Sequence, residues 1–139
     1  MTPQTLAAVH AAAFSATRAW SADEFASLLK HPGTFSVGDT RSFALVRTVL
    51  DEAELLTIAT APDMRRQGLA RATLLAGEMQ AKDQGATRIF LEVAEDNAPA
   101  IALYTSAGYS QIGRRPGYYV PKNGAPVAAL VLHKSLTTT

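Results

Sequence analysis

The feature that most constrains this chain is the stretch TIATAPDMRRQGLARATLL, Thr57 to Leu75, where a strand-like run gives way to a helical one. ELLTIATA is rich in residues that suit a pleated strand, and Pro62 ends it. From about Gln67 to Gln84 the pattern is helical. Leu69, Ala72, Leu75, Ala76 and Met79 share an apolar face, and Gly85 supplies the stop. A helix leaves its first N–H groups unpaired, and those donors together with the macrodipole favour an anion. Gly68, without a Cβ, lets a bulky anion come close to the backbone, and Ala70 is the next smallest option. Arg65, Arg66 and Arg71 stand at the positive end of the helix, where cations are disfavoured. They imply either an anion on this turn or a solvated basic cluster. Neither a GxxxxGK[ST] nor a GxGxxG pattern is present.

The flanking segments set the fold class. Pro3 to Thr17 reads as an alanine-rich helix. Ser21 and Glu24 have capping-box spacing ahead of a short helix, ADEFASLLK, stopped by His31-Pro32-Gly33. TFSV, the turn GDT and RSFALVRTVL read as a hairpin in which Phe43, Leu45 and Val49 alternate with other positions. A second turn is expected at Asp51 to Ala53. In TRIFLEVAE, Ile89, Leu91 and Val93 point to one face and Arg88, Phe90 and Glu92 to the other. Asn97 can cap a helix that has Pro99 in its first turn and ends at Gly108. YSQIGRRPGYYV is a strand, PKNG a hairpin turn, and APVAALVLHKSL a last strand whose apolar run suggests burial on both faces. The order α, α, β, β, β, α, β, α, β, β predicts one α/β domain over residues 1–139, built on a central mixed sheet with helices on it.

Composition narrows the function. A chain of 139 residues suits one domain, and a net charge of +1 gives no global reason to expect nucleic-acid binding, so any preference for anions is local. The absence of cysteine excludes disulfides, thiolate metal ligands and a cysteine nucleophile. His10, His31 and His133 have no metal-ligand spacing, so no metal is expected. No basic leader and no run approaching roughly 18 apolar residues is found, and a cytoplasmic location with no membrane partner is expected.

Arg65-Arg66-Gln67-Gly68-Leu69-Ala70 matches R/Q-x-x-G-x-G/A and resembles the pyrophosphate loop of the GNAT (Gcn5-related) N-acetyltransferases. LEV (Leu91 to Val93), NAPAIALYTSAGY (Asn97 to Tyr109) and RRPGYY (Arg114 to Tyr119) follow in the order of that family. The resemblance covers roughly Glu54 to Leu136 and is nearest to the ribosomal-protein-alanine N-acetyltransferase branch. More loosely, AFSATRAWSADEF looks like the substrate-side helices. Two departures stand out: Ala70 replaces the commoner glycine, and RRPGYY carries one extra residue.

The resemblance implies a GNAT fold, with a mixed, mostly antiparallel twisted sheet, and acetyl-CoA as co-substrate. It implies that backbone groups of Ile58, Ala59 and Thr60 pair with the pantetheine arm. Arg66, Gln67, Gly68, Leu69, Ala70 and Arg71 would hold the pyrophosphate, mostly through N–H groups. Glu92 would be the general base, through a water if not directly, and Tyr104 the acid for the leaving thiolate as well as a cofactor contact. Asn97 would contact the cofactor as well as cap its helix. Arg114, Arg115, Tyr118 and Tyr119 would line the acceptor side. With no cysteine for an acyl-enzyme, the amine attacks the thioester directly, its carbonyl polarised by N–H groups near Ala59. At pH 7.4 about a quarter of an α-amine is neutral but only about one part in a thousand of a lysine, so one carboxylate suits an N-terminal amine better. The implied acceptor is the N-terminal α-amine of a protein such as a ribosomal protein. A small-molecule amine, or a non-catalytic acyl-CoA-binding role, are the alternatives.

Overall fold

A computed structural model describes residues 1–13, 19–119 and 124–137. Its elements come in the expected order: α1 (Pro3–Ala13), α2 (Ala22–Leu29), β1 (Thr34–Gly38), β2 (Ser42–Val49), β3 (Glu52–Thr60), a 3-10 turn (Pro62–Met64), α3 (Leu69–Asp83), β4 (Arg88–Ala94), α4 (Ala98–Ser106), β5 (Ser110–Tyr119) and β6 (Val127–Ser135). The end of the first predicted helix and residues 121–123 of the predicted PKNG turn lie outside the described residues.

Local signals explain most boundaries. Ser21 accepts from the Glu24 N–H while Glu24 reaches back to the Ser21 N–H, closing the capping box of α2. Asn97 Oδ1 accepts from the Ala100 N–H at 3.3 Å and starts α4. Gly85, at φ +100°, takes the left-handed position after α3, and the Ala86 N–H closes on the Ala81 carbonyl at 3.0 Å. The β2–β3 turn falls at Leu50 and Asp51, with Leu50 at φ 57°, one position before the predicted turn, because Glu52 already pairs with Val49.

The strands form one sheet in the order β1-β2-β3-β4-β6-β5. The β3–β4 pairing is parallel and the other four are antiparallel. Each face carries helices. Phe43, Leu45 and Ala59 pack with Leu6, Val9 and Phe25 of α1 and α2. Ala44, Val46, Ile89, Leu91 and Val93 pack with Leu74, Ala81 and Tyr104 of α3 and α4. β2 is therefore buried on both faces from Ser42 to Val46, whereas Val49 is exposed. β6 is interior to the sheet. Ala128 and Ala129, on opposite faces, are both buried, but Leu130 and Val131 are only half-buried, so its apolar run is less enclosed than expected.

The α3 helix corrects the face expected from its apolar period. Ala72, Leu75, Ala76 and Met79 are exposed, and Thr73, Leu74, Gly77, Glu78 and Ala81 face the sheet. Two contacts turn the helix this way. A Cβ on Gly77 would stand 3.2 Å from Val46 Cγ2, so glycine permits the close approach of α3 to β2. Glu78, buried by that approach, accepts from Lys134 Nζ at 2.7 Å and from the Tyr109 hydroxyl at 3.0 Å. A buried carboxylate with two donors is tolerated where an unpaired one is not.

Candidate active site

The site begins where β3 and β4 part. Their ladder runs only through Glu52–Arg88, Ala53–Ile89 and Glu54–Phe90. Just beyond it, the β2–β3 register shifts: Leu45 faces Thr57 and Val46 faces Leu55, so Leu56 is an extra residue on β3. Such a bulge bends its strand. From Leu55 onward β3 no longer pairs with β4, and the run through Ile58, Ala59 and Thr60 keeps β2 as its ladder partner on one side alone. Backbone N–H and C=O groups on the other side of that run are available to an extended ligand.

The strand leads directly into the arginine-rich turn. Arg66 and Gly68 both adopt left-handed backbone, at φ 66° and 75°. Successive N–H groups in such turns form an anion-binding concavity. Gly68 is the N-cap of α3, and among the described residues no side chain caps the helix. The first-turn donors from Gly68 to Arg71 thus lack intrahelical acceptors. A Cβ at Gly68 would meet nothing within 4 Å among the described residues, so on their side the space above this turn is open. Beneath it, Thr73 donates to Ser42 Oγ at 3.1 Å, and Ser42 bonds the Thr60 hydroxyl at 3.1 Å, tying the start of α3 to the end of β3.

The arginines divide their work. Arg65 donates to the Ala13 carbonyl at 2.9 Å, at the end of α1. Arg71 donates to the Ser106 carbonyl at 3.1 Å and its hydroxyl at 3.3 Å, at the end of α4. Both cations therefore meet the negative ends of neighbouring helices, where the dipole favours them. Gln67 donates weakly to Met64 Sδ at 4.0 Å. Among the described residues, an anion placed on this turn would meet backbone groups and Arg66.

Across the sheet stand the predicted acid and base. Glu92 is on the α1/α2 side of β4, opposite in sense to buried Leu91 and Val93, and its side chain is 17% exposed. Arg115 Nη2 lies 3.2 Å from Glu92 Oε1. Tyr104 is buried on α4, its ring 5.8 Å from that of Tyr109. Burial, and secondarily Tyr119, pushes the Tyr104 hydroxyl up to about 12. It holds its proton throughout the neutral range, as an acid for a leaving thiolate must. Burial also raises Tyr119, with further contributions from the charge on Glu92 and from Tyr118, so Tyr119 stands within electrostatic reach of both Tyr104 and Glu92.

Of the acceptor-side residues, Tyr118 and Tyr119 pack edge to face at 5.0 Å, and the Arg115 guanidinium lies 5.4 Å from the centre of the Tyr118 ring. Arg114 turns elsewhere. It donates to both oxygens of Glu95, at 2.9 and 3.1 Å, and holds that carboxyl below its usual range. Asn97 uses its side chain as a cap. The signal for the Arg115 position lies in RRPGYY itself. Arg115 faces Ala129 and Tyr119 faces Val127, so Pro116, Gly117 and Tyr118 together oppose the single residue Ala128. Gly117, at φ +65°, makes this bulge possible.

The profile of the Acetyltransferase (GNAT) family matches residues 11–109. The chain belongs to the GNAT acetyltransferase family. Acetyl-CoA is the acyl donor used by that family. Over 94 residues the chain is 40% identical to the [ribosomal protein bS18]-alanine N-acetyltransferase of Escherichia coli (strain K12). The matched stretch is 68% of this chain and 64% of that enzyme, so it spans less than two thirds of the relative's length. The crystal structure of the ribosomal-protein-S18-alanine N-acetyltransferase from Escherichia coli superimposes with a TM-score of 0.86 at 30% identity, covering 99% of this chain and 89% of that one. Arabidopsis thaliana NAA60, in a crystal structure with acetyl-CoA, shares the fold, with a TM-score of 0.79 at 15% identity over 97% of this chain and 95% of that one. The GNAT assignment accounts for the mixed sheet flanked by helices.

Proposed function

We propose that this chain transfers an acetyl group from acetyl-CoA to a primary amine, and that the amine is the N-terminal α-amine of a protein; the E. coli relative is named as an N-acetyltransferase of ribosomal protein bS18 alanine. The observation that carries the reading is the parting of β3 and β4 between the open Gly68 turn and the Glu92 and Tyr104 side chains. The unpaired edge of β3 fits an amide-bearing arm, and the donors of the turn fit a pyrophosphate.

Bound acetyl-CoA supplies an acyl thioester. Ile58, Ala59 and Thr60 hold its arm in line with the sheet, and the donors from Arg66 to Arg71 take the charged end. Asn97 anchors the start of α4, the helix that carries Tyr104. Glu92 accepts the proton that the amine gives up as its nitrogen bonds to the acyl carbon. Tyr104 gives its proton to the sulfur as the carbon–sulfur bond breaks. The proton held by Tyr104 is replaced from solvent and that on Glu92 returns to it, so the site resets. An α-amine costs under about 1 kcal/mol to deprotonate near pH 7.4 against about 4 kcal/mol for a lysine, which matches a site with one carboxylate.

The test is mass spectrometry after incubation with acetyl-CoA of peptides beginning with Ala or Ser and, separately, of small amines. The peptides are expected to gain one acetyl group at the first residue. Turnover of small amines alone overturns the N-terminal reading, and turnover of neither overturns the enzymatic one.

A further inference from the structure

We infer that Arg115 is the residue that selects α-amines, by donating to the first carbonyl of the acceptor chain while Glu92 receives the amine. This rests on the N-terminal reading above.

A polypeptide N-terminus presents two polar groups side by side. Its amine and first carbonyl oxygen are joined through one Cα, and they lie roughly 3 Å apart when both point the same way. A lysine side chain or a polyamine has no acceptor beside its nitrogen. The site presents the complementary pair: a carboxylate oxygen and a guanidinium nitrogen 3.2 Å apart. The two charges also leave the local field near neutral, which gives a polycation no added attraction.

Arg115 has capacity to spare. One of its nitrogens is paired with Glu92, the side chain is 58% exposed, and a guanidinium carries five donors. Its neighbour Arg114 differs, with two nitrogens committed to the two oxygens of Glu95. Arg115 is also held in place. Its guanidinium lies over the Tyr118 ring, and it is the last paired residue before the Pro116–Gly117 bulge. In the register of the sheet, Glu92 faces Val131, which faces Gly113. The β5 position level with Glu92 thus carries no side chain, and Arg115, two residues on, is on the same face. An acceptor can lie over Gly113 with its nitrogen toward Glu92 and its carbonyl toward Arg115.

The experiment compares two peptides beginning with Ala, one ordinary and one in which the first peptide bond is a thioamide, whose sulfur is a poor acceptor. Values of kcat/KM are measured for the full chain and for Arg115→Gln. The unaltered enzyme is expected to prefer the ordinary peptide by about tenfold or more, the scale of a hydrogen bond to a charged group. In Arg115→Gln the ordinary peptide falls by at least that factor and the preference shrinks to near one. Any effect of sulfur on the amine itself is common to both proteins and cancels in the ratio. An equal preference in both proteins overturns the inference and leaves the N-terminal reading standing. Acetylation of small amines with neither peptide accepted overturns that reading and the inference together.

Discussion

Glu78 and Lys134 allow a quantitative test of how α3 is seated. The carboxylate is 5% exposed and the ammonium 26%, with 2.7 Å between them. Lys134→Met removes the charge that compensates a buried anion and leaves it one donor, the Tyr109 hydroxyl. Stranding a fully buried charge costs about 3–5 kcal/mol. Because Lys134 reaches solvent, some water already screens the pair, and about 2–3 kcal/mol is expected here. For a chain of this length that lowers Tm by roughly 6–12 °C. Glu78→Gln strands the partner that can bend toward water, so it should cost about 1 kcal/mol. The double variant should be more stable than Lys134→Met alone, since the stranded anion is gone. Urea unfolding followed by circular dichroism, with all three variants in one cycle, measures the difference. A loss under about 1 kcal/mol for Lys134→Met, or an equal loss for Glu78→Gln, would refute the reasoning.

Tyr104→Phe should lower kcat by about a hundredfold or more while leaving acetyl-CoA affinity nearly unchanged, as read by steady-state kinetics beside calorimetry. Gly68→Val places a branched side chain in the open space over the turn at a left-handed φ. It should weaken acetyl-CoA binding by tenfold or more and cost about 1–2 kcal/mol of stability, measured by titration and thermal melting. Saturating the chain with CoA at about 100 times its Kd should stabilise it by roughly 2.7 kcal/mol, seen as a higher Tm. The Tyr104 pKa is raised on folding, so the native state binds more protons than the unfolded state above pH 10. The stabilisation from the neutral phenol is therefore intact below pH 10 and is lost between pH 10 and about 12; Tyr104→Phe should flatten the fall of stability with pH across that window.

Features written in neighbouring residues were legible in the sequence. Ser21 and Glu24, Asn97 and Gly85 act within one turn of themselves, and each sits where its chemistry predicts. The period of β4 was readable because Leu91 and Val93 alternate with Glu92 against one core. The inward face of α3 was not, because Thr73, Gly77 and Glu78 gain their reason to be buried from β2, Tyr109 and β6, which are distant in sequence. The parting of β3 from β4 sits beside the bulge at Leu56, an ordinary apolar residue whose displacement is visible only against β2. RRPGYY announced an irregularity, but that Arg115 rather than Arg114 meets Glu92 depends on which face the register of β5 selects.

The bonds from Arg65 to the end of α1 and from Arg71 to the end of α4 make the turn between them a keystone. A loop that must be ordered by its ligand spends part of the binding energy on its own entropy. Here two helices meet that cost during folding. They are the helix on the proposed acceptor side and the helix that carries Tyr104, so a lesion at Arg65 is felt at the first and a lesion at Arg71 at the second. The affinity of the turn for a phosphate is thus a property of the assembled fold, and a peptide copy of residues 62–75 would not possess it.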